Sequence, residues 1–174
     1  MTKYSKTAIA LHWIIAILVV TNVALASMSE DLPRAAKAAY MSPHKAIGVT
    51  ILLLSLFRLF WRLGHKPPPM PDAVTGWQVT LGKTVHALFY FLIIAVPLTG
   101  WLMVAARPGA PPLDFFGLFS IDLPVGDSKA LSDFGHEGHE ILTKPLVILI
   151  FLHVIGAFKH QFADRVPFIQ RMWP

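Results

Sequence analysis

The sequence predicts an all-α integral membrane protein, a four-helix transmembrane bundle that forms a single domain over residues 1–174. The composition is 55% hydrophobic and only 14% charged, whereas soluble domains carry about 25% charged residues. Four apolar runs are each close to the ~20 residues that a helix needs to cross ~30 Å of hydrocarbon. The chain also contains 8 histidines, several of them inside these runs. The charge content excludes an ordinary soluble protein, and the histidines indicate a buried functional site.

The spans are predicted at roughly 7–28, 44–63, 80–105 and 139–162. The third and fourth spans contain Pro97 and Pro145. Spanning helices tolerate proline where neighbouring helices satisfy the freed carbonyl group, so we expect both helices to persist with kinks. Residues 106–138 are predicted to be a long loop with short ordered pieces.

The first run has an alternative interpretation as a secretory signal peptide. Lys3 and Lys6 precede the apolar segment, and the small residues of VALAS imitate a cleavage site. However, the run is longer than a typical signal-peptide core, and it contains His12 and Trp13 near its start. We therefore predict a span that is retained in the protein.

The basic residues predict the orientation. With four spans, both termini and the second connection lie on one side of the membrane. That side carries nine basic residues against six on the other: Lys3, Lys6, Arg58, Arg62, Lys66, Lys83, Lys159, Arg165 and Arg171, against Arg34, Lys37, Lys45, Arg107, Lys129 and Lys144. The positive-inside rule then predicts cytoplasmic N- and C-termini. Because these residues flank apolar runs and form no basic stripe, we expect no nucleic-acid partner.

The histidines of the fourth run have an informative spacing. His153 follows His139 by 14 residues, and His160 follows His153 by 7. At about 3.6 residues per turn these offsets are close to four turns and two turns, so the three rings share one helix face. Ionisable side chains inside a membrane are rare and functional by default. His65 and His136 are instead predicted to be loop residues.

The histidines fall into two layers when they are placed by depth. His44 opens the second span and His139 opens the fourth, so both lie at the outer surface. His153 lies ~21 Å below His139 at 1.5 Å per residue, which is level with His12 or His86. The residues alone leave His12 and His86 as alternative partners of His153.

Haem is the ligand that suits two layers of this kind. Haem iron needs only two axial ligands from opposite sides, and two facing helices with one histidine each can supply them. A zinc or copper site would need three or four clustered donors, and the chain has no cysteine. A non-haem, histidine-rich membrane transport protein, in which the histidines handle protons or metal, is the alternative from another class.

Four segments carry a family resemblance: KYSKTAIALHW, HKAIGVTILLLSLFRLFWRL, VHALFYFLIIAVPLTG and HEILTKPLVILIFLHVIGAFKHQF. In these segments the chain resembles the small bacterial cytochrome b561 proteins, which are related to the haem b subunits of hydrogenases and formate dehydrogenases. The resemblance implies a multi-pass protein of the bacterial inner membrane with two b-type haems. It implies His12 and His153 as axial ligands of one haem, and His44 and His139 as ligands of the other.

The resemblance also implies an oxidoreductase that moves electrons between a periplasmic donor and membrane ubiquinone. The donor would be superoxide or a redox protein. Bis-histidine iron has no open position, which favours electron transfer over oxygen chemistry. No catalytic residue is predicted, but His86 and His160 are candidates for a quinone or proton site, since imidazole exchanges protons near neutral pH. The alternative is a haem b membrane anchor of a larger quinone-linked dehydrogenase.

Overall fold

The computed structural model describes residues 2–71, 74–122 and 125–174. Within these ranges four helices are long and apolar enough to cross a membrane. They are α1 (Lys6–Ser29), α2 (Arg34–Gly64), α3 (Gly76–Ala105) and α4 (Lys129–Phe158). A π-helical turn (Lys159–Ala163) prolongs α4, and a short helix, α5 (Phe168–Met172), follows it. The predicted four-helix membrane bundle is confirmed.

Two of the helices extend well beyond the predicted spans. Helix α2 begins at Arg34 and α4 begins at Lys129, each ten residues before the predicted start of its span. These first turns are polar; Lys129 Nζ, for example, pairs with the carboxylate of Asp133. Hydropathy detects the part of a helix that suits lipid, and it does not detect a polar extension into water. The loop predicted at 106–138 is therefore shorter than expected, because its last ten residues belong to α4.

Side-chain caps explain where three of the helices begin. Ser5 Oγ accepts a hydrogen bond from the Ala8 amide at 3.3 Å before α1, and Ser128 Oγ accepts one from the Leu131 amide at 3.3 Å before α4. Thr75 forms a capping box with Gln78 before α3. These bonds satisfy amide groups that the helix itself leaves without acceptors.

The bundle core is thin and consists of two apolar clusters. One joins α1 to α2 through Ile15, Val19, Ile47 and Ile51. The other joins α3 to α4 through Leu92, Ile93, Val96 and Leu146. Large apolar side chains such as Ile17, Leu53 and Phe151 are exposed on the outer faces. In a membrane protein these faces contact lipid, so the core need not bury them.

Helices α3 and α4 approach each other closely at glycines. A Cβ atom at Gly135 would lie 2.5 Å from the Met103 amide nitrogen, and one at Gly138 would lie 3.0 Å from Thr99 Cγ2. Small residues at helix interfaces are the usual way for membrane helices to reach such contact. The close approach brings the first half of α4 against the last half of α3.

A β-hairpin lies between α3 and α4. Strands β1 (Leu113–Phe115) and β2 (Phe119–Ile121) are antiparallel, with Leu113 opposite Ile121. Ser42 Oγ of α2 donates a hydrogen bond to Asp114 Oδ2 at 3.1 Å. We call this end of the bundle the hairpin end. The opposite end, which carries both termini, is called the terminal end.

The C-terminal segment folds back across the terminal end. Arg171 is only 3% exposed, and its guanidinium group donates to three backbone carbonyl groups, those of Thr2, Pro68 and Pro69. Trp13 Nε1 also donates to the Met172 carbonyl oxygen at 2.7 Å. These bonds join the N-terminus, the connection between α2 and α3, and helix α5.

Candidate functional site

Two histidines face each other at the hairpin end. The ring centroids of His44 on α2 and His139 on α4 lie 6.2 Å apart, with an interplanar angle of 85°. The Nδ1 atom of His44 lies 3.1 Å from the Asn22 carbonyl oxygen, and Nδ1 of His139 lies 2.8 Å from the Val96 carbonyl oxygen. A carbonyl oxygen can only accept, so each Nδ1 carries the ring hydrogen. Each Nε2 therefore keeps a lone pair for a metal, as in most metal-bound histidines.

The distance between these rings matches one iron held between two imidazoles. When both Nε2 atoms point at one metal from opposite sides, a metal–nitrogen bond of about 2 Å and a nitrogen about 1.1 Å from the ring centroid place the two centroids about 6.2 Å apart. The observed spacing of His44 and His139 is 6.2 Å. We call this pair the hairpin-end layer.

Gly100 makes room for the His139 ring. A Cβ atom at Gly100 would lie 2.9 Å from His139 Nδ1, so any other residue would push the imidazole away from α3. The sequence analysis missed this residue. Its signal was a glycine within a long apolar helix, where glycine is otherwise unfavourable.

Two buried polar atoms without partners indicate a bound ligand that carries polar groups at its centre or rim. Among the residues that the structure describes, Asn22 Oδ1 and Ser55 Oγ are buried without a hydrogen-bond partner. Such atoms are costly unless something satisfies them. Asn22 also provides the carbonyl group that orients His44. A polar residue in the apolar first span was the sequence signal for Asn22.

A second group of histidines lies toward the terminal end. His153 on α4 has its ring centroid 6.3 Å from that of His12 on α1 and 6.1 Å from that of His86 on α3. Both distances match the spacing expected for two axial imidazoles. We call these three residues the terminal-end layer. Since His139 and His153 are 14 residues apart, the two layers are separated by about 21 Å along α4.

Hydrogen bonds distinguish the two possible partners of His153. Nδ1 of His86 lies 2.6 Å from the Gly82 carbonyl oxygen, so Nε2 keeps its lone pair. Nδ1 of His12 instead lies 3.3 Å from Arg58 Nη1, and a guanidinium group can only donate. In this arrangement the ring hydrogen of neutral His12 is on Nε2. The geometry therefore keeps both His12 and His86 as candidates.

The hairpin-end layer offers one pair of histidine donors, and the terminal-end layer offers two alternative pairs that share His153. In the parts of the chain that the structure describes, no group of three or more His, Asp or Glu residues is placed to hold a metal ion. Facing pairs are what axial ligation of haem iron requires. The residues present thus fit haem.

Comparison with known proteins agrees with this arrangement. The sequence profile of the prokaryotic cytochrome b561 family matches residues 3–174. The chain belongs to this family. It is 28% identical to cytochrome b561 homolog 2 of Escherichia coli (strain K12) over 98% of this chain and 90% of that protein. It is 25% identical to the probable superoxide oxidase CybB of Yersinia pestis over 99% of this chain and 96% of that protein. It is also 24% identical to cytochrome b561 homolog 1 of the same E. coli strain over 100% of this chain and 98% of that protein.

Family membership defines the coarse function. This prokaryotic cytochrome b561 is a multi-pass protein of the bacterial inner membrane that binds haem b and transfers electrons. The four membrane-spanning helices and the facing histidines have the arrangement that this function requires.

The cytochrome has a cationic cavity beside its terminal-end layer. The cavity has a volume of about 400 Å³, and Lys3, Arg58, Arg62 and Lys66 are among the residues that line it. The guanidinium carbons of Arg58 and Arg62 lie 5.9 Å and 5.8 Å from the Tyr90 ring centroid. Arginine forms strong charge-assisted hydrogen bonds with carboxylates, so this cavity suits the carboxylate groups of a haem.

His160 lies in the π-helical turn at the end of α4. Its Nδ1 lies 2.7 Å from Asp164 Oδ2, and Lys159 Nζ lies 2.7 Å from the same oxygen. The hydrogen bond that Lys159 donates holds the pKa of the Asp164 carboxyl below its usual value, and the hydrogen bond from His160 makes a smaller contribution in the same direction. Single π-helical turns occur frequently at functional sites. Asp164 accepts the hydrogen bond from the Nδ1–H group of His160 and so orients the imidazole ring.

The remaining two histidines have structural contacts. His65 stacks on Trp61 with ring centroids 3.9 Å apart, just after α2 ends. His136 lies within α4, with its Nδ1 3.3 Å from Met103 Sδ. The prediction of a loop position was wrong for His136, because the polar start of α4 gave no apolar signal.

Proposed function

We propose that the protein holds two haems b and passes electrons across the inner membrane between a periplasmic donor and ubiquinone. The observation that carries this proposal is the pair of histidine layers, each with ring centroids at the bis-histidine spacing. His44 and His139 serve one haem, and His12 and His153 serve the other. A haem held between two imidazoles supplies one-electron transfer, because its iron has no open position.

His12 is preferred over His86 as the second ligand because the family resemblance implies it. The contact of Arg58 with His12 Nδ1, which leaves the ring hydrogen on Nε2, is explained by the role of Arg58. Arg58 lines the cationic cavity and contacts His12 Nδ1. An Arg58 paired with a haem carboxylate would leave Nδ1 of His12 free to carry the ring hydrogen, and Nε2 would then be available to iron. His86 then remains available for proton transfer.

Cations near the hairpin-end layer support an anionic donor. A cavity of about 200 Å³ is lined by two cations, Lys45 and Arg107, and by one carboxylate, Asp114, together with apolar hairpin residues such as Leu113. Lys45 directly follows His44 in α2. Superoxide is a small anion and is attracted by positive surface. The name of the Yersinia pestis relative, probable superoxide oxidase, also supports superoxide as the donor.

Quinone reduction at the terminal end needs protons as well as electrons, and His86 and His160 are the candidates to supply them. Asp164 holds the Nδ1–H group of His160, so Nε2 can accept and release a proton. The His86 ring lies against His153 at 6.1 Å. These contacts support a proton route from the terminal end toward the terminal-end layer.

Haem counting tests this proposal. The purified protein should contain two low-spin haems b per chain by the pyridine haemochrome assay. His44→Ala and His153→Ala should each reduce the count to one, because each removes an axial ligand of a different haem. His136→Ala is the matched control and should keep both haems, since the exposed His136 contacts Met103 Sδ and lines neither of the two cavities. A count of one in the unmodified protein would refute the two-haem assignment.

A further inference from the structure

The tip of the hairpin between α3 and α4 exposes apolar side chains. Leu118 is 77% exposed and Phe119 is 55% exposed, and Phe116 beside them is also exposed. Unlike the exposed residues of the four long helices, these three belong to a connection. A connection that faced only water would normally be polar at its tip.

The turn is built for a polar residue or glycine but carries phenylalanine. Phe116 has φ +56° and Gly117 has φ +71°. Asn, Asp and Gly dominate this left-handed conformation because bulky side chains are strained there. The turn is nevertheless well formed: the Leu118 amide donates to the Phe115 carbonyl group at 3.0 Å, and the Gly117 amide donates to Asp114. Phe116 adopts this conformation at a cost in free energy; its ring packs edge-on against Phe115 with centroids 4.9 Å apart, and 47% of the residue stays exposed.

Contacts with α2 determine the position of the hairpin base along the bundle axis. Leu113 at its base is only 5% exposed, and Asp114 accepts the hydrogen bond from Ser42. Ser42 lies two residues from His44 toward the hairpin end, a rise of about 3 Å. The base of the hairpin is thus held close to the level of the hairpin-end layer.

That level coincides with a boundary of the bilayer. Lys6 starts α1 six residues before His12, which corresponds to about 9 Å. With the distance of about 21 Å between the layers, this spans the ~30 Å of a hydrocarbon core. A hydrocarbon boundary at Lys6 therefore places the opposite boundary at the hairpin-end layer. Lys144 lies five residues deeper in α4 and reaches back toward this boundary, where it pairs with Glu140 at 2.9 Å. Since each strand has three residues, the tip lies no more than about 10 Å from the base and is within reach of the headgroup region.

We propose that residues 116–119 insert into the interfacial region of the bilayer at the hairpin end and anchor the hairpin to the membrane surface. Aromatic and leucine side chains are favoured at this depth. The anchored hairpin holds its base over the cavity that contains Lys45 and Arg107. This inference depends on the membrane-spanning helices alone and does not depend on the number of haems.

Cysteine alkylation tests the proposal, because the chain contains no cysteine. Leu118→Cys and Phe119→Cys place single thiols at the tip. Ala130→Cys, nine residues before His139 in α4, is the water-exposed reference, and Ile148→Cys, nine residues after it, is the lipid-exposed reference. Each haem-loaded variant is placed in lipid nanodiscs, where both membrane faces are accessible, and is treated with a water-soluble maleimide. A thiol reacts as the thiolate, which lipid disfavours.

Both tip variants should react at least tenfold more slowly than Ala130→Cys and approach the rate of Ile148→Cys. In sodium dodecyl sulfate all four should react alike. Since Leu118 is 77% exposed on the protein, slow labelling would reflect lipid and not protein packing. A difference smaller than tenfold overturns the proposal and leaves the tip in water, as a surface for a soluble protein partner.

Discussion

At the scale of single residues, the identity of the His153 partner is the most informative unknown. His12 and His86 lie at nearly the same distance from His153, so spacing does not choose between them. We predict that His12→Ala loses one haem and that His86→Ala keeps both but slows quinone turnover. The pyridine haemochrome assay and quinone reduction rates measure the two effects. Loss of a haem in His86→Ala, with both kept in His12→Ala, would make His86 the ligand.

Gly100 provides a second prediction at this scale. Gly100→Ala places a methyl group 2.9 Å from His139 Nδ1, so the ring must move and its hydrogen bond to Val96 must lengthen. We expect weaker binding of the hairpin-end haem and altered low-spin signals in electron paramagnetic resonance spectra. Gly76→Ala at the start of the same helix is the control, because a Cβ atom there meets no described atom within 4 Å. Equal spectra for the two variants would contradict the role assigned to Gly100.

The residue scale also shows what sequence patterns can and cannot provide. The spacing of His139 and His153 predicted two layers, and the structure has them because helical periodicity is independent of tertiary contacts. Gly100 and the carbonyl groups of Asn22 and Val96 could not be predicted, since their roles arise only when two helices meet. The choice between His12 and His86 stays a prediction, because the structure brings both rings to His153.

At the scale of elements, hydropathy located each span but not each helix end. Polar turns at the starts of α2 and α4 extend beyond the apolar runs, and only caps such as Ser128 indicate the second of these starts. Short ordered pieces were predicted in the connection between α3 and α4, but not a hairpin, because its strands have three residues each. Short strands carry too few residues to show an alternating pattern.

Arg171 supports a prediction for helix α5. Replacing it with Leu removes the donors to three backbone carbonyl groups, and a hydrogen bond to a charged group is worth about 1.5–3 kcal/mol. We expect Arg171→Leu to release residues 166–174 and to increase amide hydrogen exchange there and in residues 2–5. Arg165→Leu, at an exposed position, is the matched substitution and should change neither segment. Unchanged exchange in Arg171→Leu would show that α5 is held by other contacts.

At the scale of the whole molecule, the orientation in the membrane stays a prediction based on charge. Reporter fusions after residue 174 and within residues 66–70 should be active in the cytoplasm, and fusions within residues 108–112 should be active in the periplasm. The nine basic residues on the terminal side support this outcome. Reversing the bias, by adding lysines to the polar start of α2, should lower the fraction of correctly oriented chains. The opposite fusion pattern would place the superoxide donor on the wrong side for the proposed electron transfer.

Helix α4 contributes one ring to each layer, and this shared helix restricts how the protein can evolve. Deleting one residue between His139 and His153 would rotate one ring by about 100° relative to the other. An insertion of four residues would restore the facing direction but increase the separation to about 27 Å, which takes up nearly all of the ~30 Å hydrocarbon core. The 14-residue spacing therefore satisfies helical periodicity and bilayer thickness together. Relatives should vary freely in residue type along this segment, but insertions and deletions between the two histidines should be absent from functional chains.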